Sequence, residues 1–140
     1  MAERLFVDTG YLVALINRRD GLHAQAVALA QSWQEGERAL LTTDGVLIEF
    51  GNFFSKSPLR ALCLTSIRRI RRDRGWHVEP LNEDLIKRGE ARYGAHPDKS
   101  WSLTDCLSME VMLDHSCEEA ATPDHHFVQA GFRISMQSKP

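Results

Sequence analysis

Residues 4–16 read RLFVDTGYLVALI. LFV at 5–7 is a short β-like apolar run, and from Tyr11 onward the apolar residues Tyr11, Leu12, Leu15 and Ile16 recur at helical spacing. A strand that feeds directly into a helix is a βα unit, and a chain of such units makes a mostly parallel sheet covered by helices. Asp8 stands between the two elements. An isolated charge among apolar residues is too costly to keep, so Asp8 has to cap the helix, be paired, be hydrated or bind a metal.

The alternation continues along the chain. Asp20 is a good N-cap for a helix that carries Ala24, Val27, Ala28 and Ala30 to Gly36, and ALLT at 39–42 is a second strand. Thr43 or Asp44 caps the next helix, in which Val46, Leu47, Phe50, Phe53 and Phe54 form a wide apolar face. Pro58 opens a helix to about Arg72, and WHVEPL at 76–81 is a strand. A helix runs from near Asn82 to Gly94, followed by a surface loop, AHPDKSWS. SLTDCLSMEVMLDHS is a helix with Leu103, Leu107, Val111 and Met112 inward. EAAT at 119–122 is a short strand, PDHHFVQAG a terminal helix closed by Gly131, and FRIS a last strand.

A chain of 140 residues, 43% hydrophobic and 26% charged, fits one domain over 1–140 with a packed core. The formal charge of −2 gives no global basic footprint, so a nucleic-acid contact needs a local concentration of Arg and Lys. Cys63, Cys106 and Cys117 show no zinc-finger or C-x-x-C spacing, which points to reduced thiols rather than a disulfide framework. MAERLFVD lacks the features of a secretory signal and LVALI is far too short to span a bilayer, so no membrane association and a cytoplasmic location are expected.

Asp8 lies past the first strand, Glu49 in the helix after the second, and Asp124 past the strand at 119–122; the chain path puts these on the side where parallel sheets bind ligands. Asp105 joins them from the first turn of a helix. Each has a plainer reading. Asp8 and Asp124 suit helix starts, and Asp105 stands three residues after Ser102, close to a capping box. Glu49 differs: flanked by Ile48 and Phe50 in an apolar helix, it needs a polar cavity, an Arg or a cation. Should the carboxylates converge, a divalent ion resolves their repulsion, and oxygen ligands fit Mg²⁺ or Mn²⁺ better than zinc. Phosphoryl transfer is the chemistry that most often uses such a site.

The set VDTGYLVAL, LIEF, SLTDCLSM and TPDHHFVQAGF, in this order over nearly the whole chain, resembles the PIN-domain ribonucleases of the compact VapC-like type, the toxin halves of bacterial toxin–antitoxin pairs. The resemblance implies a three-layer α/β/α fold around a mostly parallel sheet of four to five strands, and a Mg²⁺- or Mn²⁺-dependent endoribonuclease. It places Asp8, Glu49, Asp105 and Asp124 at the family's acids, as catalytic and metal-holding residues. Thr9, Ser102 and Thr122 stand at the hydroxyl positions beside them, where they orient ligands or hold water. Gly10 departs from the family, which often has Ser there. Asp98, in HPDKSW, matches a recurrent acid of related toxins and is either a loop residue or a substrate contact. By the same resemblance the partners are an RNA substrate, a small antitoxin whose C-terminal segment covers the acidic cleft, and a second copy of the chain.

Arg60, Arg68, Arg69, Arg71, Arg72 and Arg74 fall on one helix, which is either a solvated face or an RNA backbone track in which Arg68 and Arg72 touch substrate. His125 and His126 follow Asp124, but neighbours on a helix point in different directions, so at most one, named here as His125, touches substrate or moves protons. Trp101 is either core or a substrate contact. Receiver domains and D-x-D phosphatases are excluded by missing residues, Asp8-Thr9-Gly10 standing where the latter need a second Asp. The remaining alternative is a non-catalytic PIN-like module that binds RNA or protein.

Overall fold

A computed structural model describes residues 4–137. Residues 1–3, part of the segment used above to argue against a signal sequence, lie outside the described residues. The chain order is β1 (Leu5–Val7), α1 (Thr9–Ile16), α2 (His23–Glu35), β2 (Leu40–Thr43), α3 (Asp44–Phe53), α4 (Arg60–Arg72), β3 (Trp76–Glu79), α5 (Glu83–Ala95), α6 (Leu103–Asp114), β4 (Glu119–Ala121), α7 (His126–Gln129) and β5 (Arg133–Ile134).

The strands form one five-stranded sheet in the order β3-β2-β1-β4-β5. Every pairing is parallel, with Phe6 opposite Leu41 on one side and Ala120 on the other. The chain steps outward from β1 through β2 to β3, then returns to the far side of β1 for β4 and β5. Right-handed crossovers therefore put α1 to α4 on one face and α5 to α7 on the other. The direction reverses between β1 and β4. A crevice beyond the carboxyl ends of these two strands follows from that reversal.

Central strands buried on both faces read as unbroken apolar runs, and β1 is buried at every position. Phe6, Tyr11, Leu41, Leu47, Phe50, Met109, Met112 and Phe127 fill the core. β3 is half-buried throughout, as befits an edge strand. Helix α6 is buried on most of its circumference because it lies between the sheet and α5. At Gly89 of α5 an added Cβ would stand 2.6 Å from Leu107 Cδ2, so the two helices approach closely only because that residue has no side chain.

Several expectations need correcting. Helix α2 begins at His23 and not Asp20: the Asp20 carboxylate accepts from Leu22 N at 2.8 Å, which makes a turn ahead of the helix. Phe53, placed on the inner face of α3, is 62% exposed and packs edge-on against Phe54 at 4.9 Å. On α4, where Leu59, Leu62, Cys63, Ile67 and Ile70 recur at helical spacing, Leu62 is exposed because its neighbour Cys63 takes the inward position, and Leu103, in the first turn of α6, is exposed too. All three cysteines are buried thiols outside any disulfide. Among the described residues no helix is long and apolar enough to cross a membrane.

Candidate active site

Asp8 occupies the N-cap position of α1, yet its side chain makes no capping hydrogen bond. The capping reading is thereby corrected. Its backbone N–H donates to Ala121 O at 3.2 Å, extending the β1–β4 ladder by one bond and bringing Asp8 alongside Thr122. The Thr122 hydroxyl then donates to Asp8 Oδ2 at 2.9 Å. Asp8 is 6% exposed. Burial lifts its carboxyl from the ordinary 3.8 to about 7; the Thr122 and Thr9 hydrogen bonds pull downward, while the negative charges of Asp105 and Glu49 push further up.

Asp105 sits in the first turn of α6 inside a complete capping box. Ser102 Oγ accepts from Asp105 N at 2.9 Å, and Asp105 Oδ2 accepts from Ser102 N at 3.0 Å. The structural reading of Asp105 therefore holds, but it is not the whole role. The same Oδ2 lies 3.0 Å from His126 Nδ1, which is also 3.2 Å from Asp124 Oδ1. Two carboxylate oxygens facing one ring nitrogen put the proton on Nδ1.

Asp124 is held by its neighbours. Its N–H donates to the Thr122 hydroxyl oxygen at 3.1 Å, and its Oδ1 accepts from His126 N at 2.9 Å. The Thr122 hydroxyl is thus a donor to one acid and an acceptor from the backbone of another. Gly10 lies against the same turn: a Cβ there would stand 3.1 Å from Pro123 Cδ, closer than ordinary contacts, so a side chain at this position would push on the proline ring. Glu49 is half-buried on α3 and acts on Asp8 through its charge. Among the described residues no hydrogen bond or ion pair reaches it, so of the three surroundings considered for Glu49 the Arg is not present.

Asp8, Glu49, Asp105 and Asp124 are accordingly brought together at the switch point of the sheet, with Thr9, Ser102 and Thr122 beside them. The remaining candidates are placed differently. Asp98 is exposed in its loop, 3.4 Å from Lys99. Trp101 is 6% exposed, its indole N–H donating to Gln129 at 3.0 Å, so its ring belongs to the core rather than to an open stacking surface. His125 is exposed, and it is His126 whose ring enters the cluster. Arg68 and Arg72 are exposed on α4. The sequence reading missed His126; the signal was its place two residues after Asp124, where an Asx turn folds the chain back.

The donor set fits a hard divalent cation. Asp105, Asp124 and His126 each offer a ligand atom within 4.8 Å of the others. Thr9 Oγ1, buried next to Asp8, has no hydrogen-bond partner. An unpartnered buried hydroxyl beside a carboxyl that resists ionisation is what a site made for a positive charge looks like without that charge.

No family model matches the chain. A parallel five-stranded sheet with acids at its switch point is also the build of known VapC-type toxins, to which the chain is similar in sequence and fold. The 23S rRNA-specific endonuclease VapC20 of Mycobacterium tuberculosis is 27% identical over 128 residues, spanning 91% of this chain and 95% of that one. The crystal structure of VapC20, described as a Sarcin-Ricin loop cleaving toxin, superposes with a TM-score of 0.80 at 23% identity, covering 97% of this chain and 99% of the other. FitAcB from Neisseria gonorrhoeae has the same fold at a TM-score of 0.64 and 13% identity, over 94% and 96% of the two chains.

Proposed function

We propose that this protein is a divalent-metal-dependent endoribonuclease, acting as a single domain and as the toxin of a toxin–antitoxin pair. The observation that carries the reading is the joining of Asp8, Asp105 and Asp124 through Thr122 and His126 at the end of the sheet. Kinship with a 23S rRNA endonuclease supports RNA as substrate and makes ribosomal RNA the first to test.

Asp8, Asp105 and Asp124, with Glu49 directly or through water, would hold Mg²⁺ or Mn²⁺. When bound, the ion supplies a positive charge against the phosphate and makes a water acidic near neutral pH. The chain supplies placement. Thr122 fixes the Asp8 carboxylate through its hydroxyl and the Asp124 main chain through its oxygen. The capping box fixes Asp105. His126 holds a proton at Nδ1 between Asp105 and Asp124, which lowers their mutual repulsion. Burial of Asp8 excludes water from one side of the site.

The antitoxin and a second copy of the chain are the proposed partners, in the cytoplasm. Exposed apolar side chains on α3, Ile48 and Phe53, support a protein-covered surface. A cleft of about 540 Å³ lined by Tyr11, Leu15, Ile16, Trp33, Leu40 and Ile70 offers a place for an apolar antitoxin segment. Purified protein incubated with RNA and Mg²⁺ or Mn²⁺ is expected to cut it, and Asp8→Asn and Asp105→Asn to abolish cleavage with the fold retained. Full activity of either variant, or of the wild type in excess chelator, refutes the mechanism. RNA binding without cleavage by the wild type would favour the non-catalytic alternative.

A further inference from the structure

A second group of ligating side chains lies at the other end of α6. His77 and Glu79, two residues apart on the edge strand β3, project to the same face, and His115 at the C-cap of α6 meets them there. His77 Nε2 is 2.6 Å from Glu79 Oε2, and His115 Nε2 is 3.6 Å from that same oxygen. The two imidazole rings are tilted by 50° to each other with centroids 5.2 Å apart. All three side chains are partly exposed, leaving a side open to solvent. His115 is about 15 Å from Asp105 along the helix axis, ten residues at about 1.5 Å each, so the group is separate from the acidic site.

The convergence has a chemical meaning. A carboxylate oxygen and two ring nitrogens lie within 4.8 Å of one another; once the Nε2 protons that now face Glu79 move to the Nδ1 atoms, they offer three lone pairs around one point. Around a tetrahedral ion with bonds of about 2.0 Å the ligand atoms stand roughly 3.3 Å apart. The contacts with Glu79, at 2.6 and 3.6 Å, lie on either side of that spacing, so small side-chain adjustments suffice. Two nitrogens and one oxygen suit a borderline cation and not Mg²⁺, which demands oxygen. Arg4 opposes the site: its guanidinium is 3.4 Å from His115 Nδ1 and has to withdraw when a cation binds.

We propose that His77, Glu79 and His115 form a binding site for a transition-metal ion of the Zn²⁺ class, with a fourth position open to water or to a partner's side chain. The ion fastens the edge strand to the end of the helix whose first turn carries Asp105. Unlike the acidic site, which needs RNA to reveal its purpose, this one reports through stability.

The test uses full-length protein freed of metal, in an Asp105→Asn/His126→Gln background that breaks up the ligand cluster of Asp105, Asp124 and His126. Calorimetric titration with Zn²⁺ is expected to give one site per chain and a raised Tm. His77→Gln and His115→Gln, compared at equal metal-free Tm, are expected to weaken binding at least tenfold and to lose the thermal shift, while Arg4→Ala tightens it. Co²⁺ in place of Zn²⁺ is expected to show visible bands of a nitrogen-ligated tetrahedral ion that vanish in the two His variants. Unchanged Zn²⁺ affinity in both His variants, or no binding in the parent background, overturns the assignment without touching the nuclease reading.

Discussion

Replacing Asp8 with Asn removes a charge that the metal-free fold accommodates badly. The Asp8 carboxyl titrates at about 7 in the folded protein against 3.8 ordinarily, with burial as the main cause. The folded state therefore binds more protons than the unfolded state between those two values, and stability falls as pH rises through that window. At about 1.4 kcal/mol per pH unit the full loss is about 4 kcal/mol, reached above pH 7. Asn has the same shape, stays neutral, and keeps an oxygen to accept the Thr122 hydroxyl. In excess chelator at pH 8, Asp8→Asn is expected to exceed the wild type in unfolding free energy by up to about 4 kcal/mol, a urea midpoint higher by roughly 2 M for a slope of about 2 kcal/mol/M. At pH 4 the gap shrinks below about 1 kcal/mol. Mn²⁺ should stabilise the wild type more than the variant, which is expected not to cleave RNA. Urea unfolding followed by circular dichroism at both pH values decides the matter: a variant less stable than the wild type at pH 8, or a gap that ignores pH, refutes the claim that burial of this charge dominates.

Thr122→Val leaves the Asp124 N–H and the Asp8 carboxyl without their shared partner; stability is expected to drop by about 1–3 kcal/mol in chemical unfolding, and cleavage about 10- to 100-fold in an RNA assay. His126→Gln is expected to weaken Mn²⁺ binding more than Mg²⁺ binding, since imidazole suits the transition ion, as read by Mn²⁺ EPR in competition with Mg²⁺; an equal effect on both ions excludes the ring as a ligand. Gly89→Ala drives a methyl into Leu107 and should cost about 1–3 kcal/mol in thermal or urea unfolding. Arg68→Glu with Arg72→Glu should lower the salt dependence of RNA affinity if α4 follows the backbone, and leave it unchanged if that face is only solvated.

The sequence made the parallel sheet legible because its strands are short apolar runs that pass straight into helices of a different period, and the chain path alone placed Asp8, Glu49 and Asp124 beyond the strand ends, while Asp105 joined them through the resemblance. The Ser102–Asp105 box was legible for a similar reason, being confined to four residues. The role of Asp8 was not: an N-cap position was readable, but the direction of its side chain depends on Thr122, which arrives from a strand more than a hundred residues later. His126 escaped because adjacent histidines look alike in one dimension, and only the turn at Asp124 decides which ring enters. The group at His77, Glu79 and His115 was half visible, as an alternation in WHVE, but its third member comes from another element. Phe53, Leu62 and Leu103 show the remaining limit, since a helix with more apolar residues than one face can hold does not announce which of them stay outside.

The close approach of Gly10 to Pro123 ties two distant positions into a single choice. A side chain at position 10 presses on the proline ring, which has to give by a few tenths of an ångström. Any substitution there is therefore felt at the turn that carries Asp124, and a smaller residue at 123 relieves it.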